Sequence, residues 1–291
     1  MTAQEQCGPS WSQTLDLYIK ICTKEIGVEP SKGLLSTLPG ADDDPNPRAI
    51  SFCGRCGPGG MHALLKAIQG EGRDGAVPYS ILEELRIEEG CIQDAGLMHI
   101  ARLLEAKDVA LTAVAIQGDR ITKVGCDSMT IGLITNRSLH ELRLDYCEGL
   151  DDRAVKSLVN GVGLHPYLMT LSLKFCSFGP LGARCLGRML SKCAPGESAL
   201  SRLYVQGNCI LPEGLEALAT GIASTVTLIE LDLRGCEVGD PYAPSQFETT
   251  RVAVDGAFQA LSEALEQNKL RCDEMASTGD FENIRHLESV R

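Results

Sequence analysis

One phrase, apolar-x-x-apolar-x-apolar, recurs along this chain at nearly constant intervals and constrains its fold more than any other feature. It reads LEELRI from Leu82, LTAVAI from Leu111, LHELRL from Leu139, LMTLSL from Leu168, LSRLYV from Leu200 and LIELDL from Leu228. Successive starts lie 29, 28, 29, 32 and 28 residues apart. The alternation inside each phrase is that of a strand with one buried face. A helical pattern follows each strand, as at Leu97, Ile100, Ala101 and Leu104, whose 0, 3, 4, 7 spacing puts four apolar groups on one face. The last such face is expected at Phe258, Leu261, Ser262 and Leu265. A degenerate first copy surrounds Ile50 and Phe52, with Met61, Leu64, Leu65 and Ile68 as its helix. One strand and one helix cannot bury their apolar sides alone, so units of this size must stack into a solenoid.

Each strand ends at a small or polar residue, in turn Gly90, Asp119, Cys147, Cys176, Asn208 and Cys236. Side chains of this kind can bond neighbouring backbone groups as the chain leaves the strand. Two places further on, Ile92, Ile121, Phe178, Ile210 and Val238 are expected to plug the core. With these turns the sequence resembles the ribonuclease-inhibitor-like leucine-rich repeats over residues 48–270. The resemblance implies an α/β leucine-rich-repeat solenoid, a horseshoe of about seven repeats with a parallel concave sheet and convex helices.

The ends are read from local signals. Residues 10–27 predict a capping helix with Ser10 or Ser12 as N-cap, a stripe of Trp11, Leu15, Tyr18, Cys22 and Ile26, and Gly27 as its stop. The run Leu17-Tyr18, Cys22, Gly27-Val28-Glu29-Pro30 and Leu35 is similar to the N-terminal cap of leucine-rich-repeat proteins from centrosomes and cilia, which implies a cytoskeletal setting such as an axoneme or centrosome. Residues 1–47 therefore form a cap and linker, 48–270 the repeats, and 271–291 a tail. The last helix face starts 30 residues after Leu228 rather than 15, which places an insertion near 241–255.

Composition narrows the function. A formal net charge of -12 repels phosphate, so neither nucleic acid nor an anionic membrane is the expected partner. The sequence has no run of apolar residues long enough to span a bilayer and no export signal, so its 13 cysteines are expected as thiols in the cytoplasm.

Chemistry-bearing motifs are few. Cys53-Gly54-Arg55-Cys56 has the spacing of a dithiol redox site, and a helix start after it would lower the first thiol's pKa. The βαβ surroundings of such a site are missing. Cys53, Cys56 and His62 offer at most three zinc ligands, with no second pair to complete a tetrahedron. GTPase activators of the nuclear-transport GTPase share this repeat type and use a loop arginine, for which Arg55 and Arg120 are the candidates. No catalytic, cofactor or metal residue is assigned, and the chain is read as a non-enzyme.

Docking is the remaining reading. Positions between the core leucines form columns on the concave face: Arg86, Ala115, Arg143, Ser172, Tyr204, Asp232, then Glu88, Gln117, Asp145, Lys174, Gln206, Arg234. The next column holds Glu89, Gly118, Tyr146, Phe175, Gly207 and Gly235. Arg143, Asp145, Tyr146, Lys174, Phe175, Arg202 and Tyr204 are thus expected to gather as a protein-binding site, with aromatic anchors inside a charged rim. The expected partner is a protein held by a scaffold in a larger, cytoskeletal complex.

Overall fold

A computed structural model describes residues 8–38, 44–71, 77–106, 108–192, 198–236 and 247–278, the side chains of the last stretch from 253 to 270. The repeated phrases form strands β1 (Ala49–Cys53), β2 (Glu84–Glu88), β3 (Ala113–Gln117), β4 (Glu141–Asp145), β5 (Thr170–Ser172), β6 (Arg202–Tyr204) and β7 (Glu230–Asp232). They lie side by side in sequence order as one parallel sheet. Every strand pairs only with its sequence neighbours, which is the topology of stacked units. The degenerate first copy is present, with Ile50 and Phe52 buried in β1.

A cap precedes the sheet. Helix α1 (Trp11–Lys20) starts at Ser10, whose side chain accepts from the Gln13 N–H while the Gln13 side chain accepts in return from the Ser10 N–H. It runs on as a π-helical turn, Ile21–Ile26, and stops at Gly27, where φ is +77°. Trp11, Leu15, Tyr18 and Cys22 seal the first unit. A short helix α2 (Lys32–Leu35) leads on to β1.

The convex layer is α3 (Gly57–Ile68), α4 (Gln93–Glu105), α5 (Lys123–Thr135), α6 (Asp152–Val162), α7 (Pro180–Lys192), α8 (Leu211–Ser224) and α9 (Phe247–Thr278). From α3 to α8 the expected apolar faces are turned inward, where each Leu or Ile removed from water contributes about 2 kcal/mol. Small residues let the helices touch: a Cβ on Gly187 would lie 2.1 Å from the Ala217 carbonyl oxygen. Ile92, Ile121, Phe178 and Ile210 are fully buried under their turns, and Val238 lies outside the described residues.

The last helix departs from expectation. Its buried side chains are Ala257 and Ala264, with Leu261 and Asn268 partly covered, whereas Phe258 and Leu265 are 52% and 53% exposed. The contact stripe is rotated by one residue because two alanines allow close packing on α8 where a phenylalanine would hold the helices apart. Asn268 fixes this rotation by donating to the carbonyls of Ile222 and Thr225. Residues 247–255, expected within an inserted loop, are helical. Among the described residues no helix is long and apolar enough to cross a membrane.

Candidate protein-docking face

The site is built by the turn that ends each strand. Gly54, Glu89, Gly118, Tyr146, Phe175, Gly207 and Gly235 all have φ between +50° and +105°. In this left-handed conformation the N–H still reaches the next strand, as from Tyr146 to the Lys174 carbonyl at 2.7 Å and from Phe175 to that of Gln206 at 2.7 Å. Four units use glycine there, the residue that adopts this region without cost. Tyr146 and Phe175 each give up about 1 kcal/mol to hold a large ring in it.

Those rings are the centre of the face. Tyr146 and Phe175 lie flat on each other with centroids 4.8 Å apart and planes 10° apart, and both are 46% exposed. Beneath Phe175 lies Gly207, where a Cβ would stand 2.2 Å from the ring. Tyr204 is two columns away rather than in the stack. Its ring carries the Lys174 ammonium at 4.7 Å, and its hydroxyl donates to Glu230 at 2.9 Å. The strand register places Arg143, Ser172 and Tyr204 in one row, as the columns require.

The charged rim divides in two. Arg143 donates to Glu141 at 2.6 Å, and this pairing holds its guanidinium pKa above the usual arginine value. Asp145 is buried, accepting from the Ser172 hydroxyl at 2.6 Å and the Lys174 N–H at 2.9 Å, so it supports the turn that carries Tyr146 and Phe175. Lys174 and Arg202 are half-buried and make no ion pair among the described residues.

Below the rings runs a ladder of buried polar groups. Asn208 Nδ2 donates to the carbonyls of Leu173, Val205 and Gln206, and its Oδ1 accepts from the Cys176 N–H. Cys176 Sγ donates to Leu144 O at 3.1 Å, and Cys236 Sγ to Val205 O at 3.2 Å. Asp119 accepts from the N–H groups of Ile92, Gln93 and Arg120. Burial pushes the Cys176 thiol up to about 12, which keeps it a protonated donor.

A family model described as Leucine Rich repeat matches residues 199–219 and 226–241, the unit of β6 and α8 and the start of the next. The chain is a leucine-rich-repeat solenoid. The human protein NACHT, LRR and PYD domains-containing protein 5 is 28% identical over 138 residues, which span 47% of this chain and 11% of that protein. A solved structure, Leiomodin-1 Actin-Binding Site 2, superposes on 62% of this chain and 96% of its own with a TM-score of 0.40 and 16% identity.

The other candidate sites resolve into structural roles. In this leucine-rich-repeat chain Cys53 and Cys56 belong to the first turn. The thiol at the helix start is Cys56, not Cys53, and it is buried on Tyr18 with its pKa pushed up to about 12, the reverse of an activated thiolate. His62 stacks on His99 with ring centroids 4.3 Å apart, not on the cysteines. Among the described residues no three His, Cys, Asp or Glu side chains converge to hold a metal. Arg55 and Arg120 are exposed on turns two units apart.

Two features escaped sequence reading. Tyr79 is fully buried against Trp11 and donates to the Pro47 carbonyl at 2.8 Å. Asp94 accepts from the Thr122 N–H at 2.7 Å, the Thr122 hydroxyl at 2.6 Å and the Gly125 N–H at 3.0 Å, binding one helix to the start of the next. Asp152 does the same for Gly179 and Gly182. Asp94 and Asp152 both sit in the first turn of their helices, two units apart, and that recurrence was the available signal.

Proposed function

We propose that the chain is a non-catalytic docking protein of the ribonuclease-inhibitor-like class, binding another protein through its concave sheet. One observation carries this reading. The fold needs a left-handed residue at 146 and 175 and could use glycine, yet it holds two large stacked rings there, half open to solvent. Strain kept at an exposed position points to use, and aromatic anchors beside charged residues are what protein interfaces employ. The partner is a protein, and the resemblance of the N-terminal cap favours a cytoplasmic scaffold in an axonemal or centrosomal assembly.

The test compares partners retained by immobilised wild type and by the double variant Tyr146→Asn, Phe175→Asn. Asparagine tolerates the left-handed conformation, so the fold is kept while the rings are lost. The variant is expected to lose the partner by about tenfold or more, equivalent to one interface hot spot. Val124→Asn, on the convex side, is expected to retain it. Equal retention by wild type and the double variant would falsify the reading.

A further inference from the structure

The two ends of the stack are finished differently. At the first strand the cap covers the core, and α2 lies on the strand's outer edge, where a Cβ on Gly33 would stand 2.0 Å from the Cys53 carbonyl oxygen. At the last strand the core is open. Leu200, Leu203 and Val205 are fully buried, whereas their counterparts one unit on, Leu228, Leu231 and Leu233, are half-buried and Ile229 is 70% exposed. The backbone edge is open as well. Val205 N–H donates to the Asp232 carbonyl at 3.0 Å and Gly207 N–H to that of Arg234 at 3.1 Å, each reaching the strand that follows. Their counterparts Leu233 and Gly235 have no following strand among the described residues, because β7 ends the sheet. An unpaired edge beside half-covered leucines is a template for another strand.

We infer that a second copy of this chain docks there, β7 against β7, antiparallel about a two-fold axis. The covered edge of β1 blocks head-to-tail stacking, so two copies can join their sheets only tail to tail. Outward-facing backbone groups alternate along the edge, and the axis can fall at Leu231, Asp232 or Leu233. Charge decides among these. An axis at Leu231 sets Glu230 against Asp232, and an axis at Asp232 sets that carboxylate against itself. An axis at Leu233 sets Asp232 against Arg234 of the second copy, twice over, and those four charges sum to zero. Each Arg234, which holds its own Asp232 at 2.6 Å, then lies between two carboxylates. In this register Leu233 N–H donates to the second copy's Leu233 carbonyl, whose other lone pair keeps the Cys236 N–H, and Gly235 N–H donates to the Leu231 carbonyl. The exposed side of α9 carries Asp255, Glu263 and Glu266 against Lys269, so the helices add repulsion and the strands supply the attraction. A contact of this size is weak, with a dissociation constant of about 10–100 µM. It is independent of the docking reading above.

The full chain is followed by sedimentation velocity from about 1 to 300 µM in about 0.5 M salt, which screens the repulsion between two chains of net charge -12. Wild type is expected to reach the dimer and stop there, because a two-fold contact closes on itself. Arg234→Asp sets carboxylate against carboxylate, and Asp232→Arg sets guanidinium against guanidinium. Each is expected to weaken the dimer by about tenfold or more. Mixed in equal amounts, the two variants are expected to pair with each other at close to wild-type strength. Amide exchange serves without any variant, should Asp232→Arg fail to fold. The Leu233 N–H of wild type is expected to exchange about threefold more slowly at about 300 µM than at about 10 µM. A chain that stays monomeric throughout overturns the inference. If its Leu233 amide then exchanges freely, the edge is left to a different protein, and if slowly, the chain covers its own edge. A dimer that Arg234→Asp does not weaken, two folded variants that fail to pair when mixed, or an open series of larger oligomers overturns it as well.

Discussion

The ring of Phe175 occupies the space that a Cβ on Gly207 would need, 2.2 Å from the nearest ring carbon. Gly207→Ala must therefore move the ring as well as strain a backbone with φ of +69°. Gly118 occupies the same place in its unit with the same φ, but its Cβ would come no nearer than 3.6 Å to its neighbour Glu89, an ordinary contact. Gly118→Ala should cost about 1 kcal/mol in urea unfolding, and Gly207→Ala about 2–3 kcal/mol. Only the second should disturb the Tyr146 ring signals. Equal costs in the two variants would show that the floor under Phe175 is not needed.

Asn208 can be exchanged for the residue its neighbours use. Its buried Nδ2 satisfies three carbonyls, so Asn208→Ala should cost about 2–3 kcal/mol. Cysteine fills the same rung at Cys176 and Cys236 and donates its S–H there to a carbonyl of the preceding unit. Asn208→Cys should recover roughly half of that loss. A denaturant series on the two variants decides it, and a cysteine variant as weak as the alanine one would contradict the ladder.

Asp94 should behave as a staple between units. Asp94→Ala leaves two N–H groups and a hydroxyl at the start of α5 without their acceptor, at a cost of about 1–3 kcal/mol. Hydrogen exchange should quicken in α5 and leave α8 unchanged, because each unit touches only its neighbours. Uniform quickening along the chain would speak for a single cooperative block.

His165 sets a pH limit on stability. Its ring is buried, with Nδ1 accepting from the Tyr167 N–H at 3.2 Å, and desolvation holds its pKa down to about 4. The unfolded chain binds a proton on this residue near pH 6.5, where the folded chain does not. Its contribution to stability is therefore full above about 6.5 and is lost as pH falls toward 4, reaching about 2–3 kcal/mol at pH 4.5. Unfolding measured between pH 7 and 4.5 should show this loss in wild type and not in His165→Gln. Parallel curves would mean that the imidazole is charged in the fold.

The sequence made the fold legible because two periods coincide in it. Leu142 and Leu144 announce a strand, Val155 and Leu158 announce a helix, and their recurrence every 28 to 32 residues leaves no other stacking. The columns followed by counting, which is why the adjacency of Tyr146 and Phe175 could be read. Their left-handed backbone was harder to see because neither residue type signals it, although the glycines at 118, 207 and 235 in the same column held that information. The face of α9 was misread for a physical reason: hydrophobicity marks Phe258 and Leu265, but the small size of Ala257 and Ala264 decides which side approaches α8.

Every unit of this solenoid has one place where the backbone asks for the smallest residue and the surface is open. Where no ring from the preceding turn already covers it, as at Gly118, filling that place leaves the stack standing at a modest penalty, so such a turn offers a perch of its own. A chain built this way can acquire, lose or relocate a recognition element one unit at a time, without renegotiating the packing beneath it.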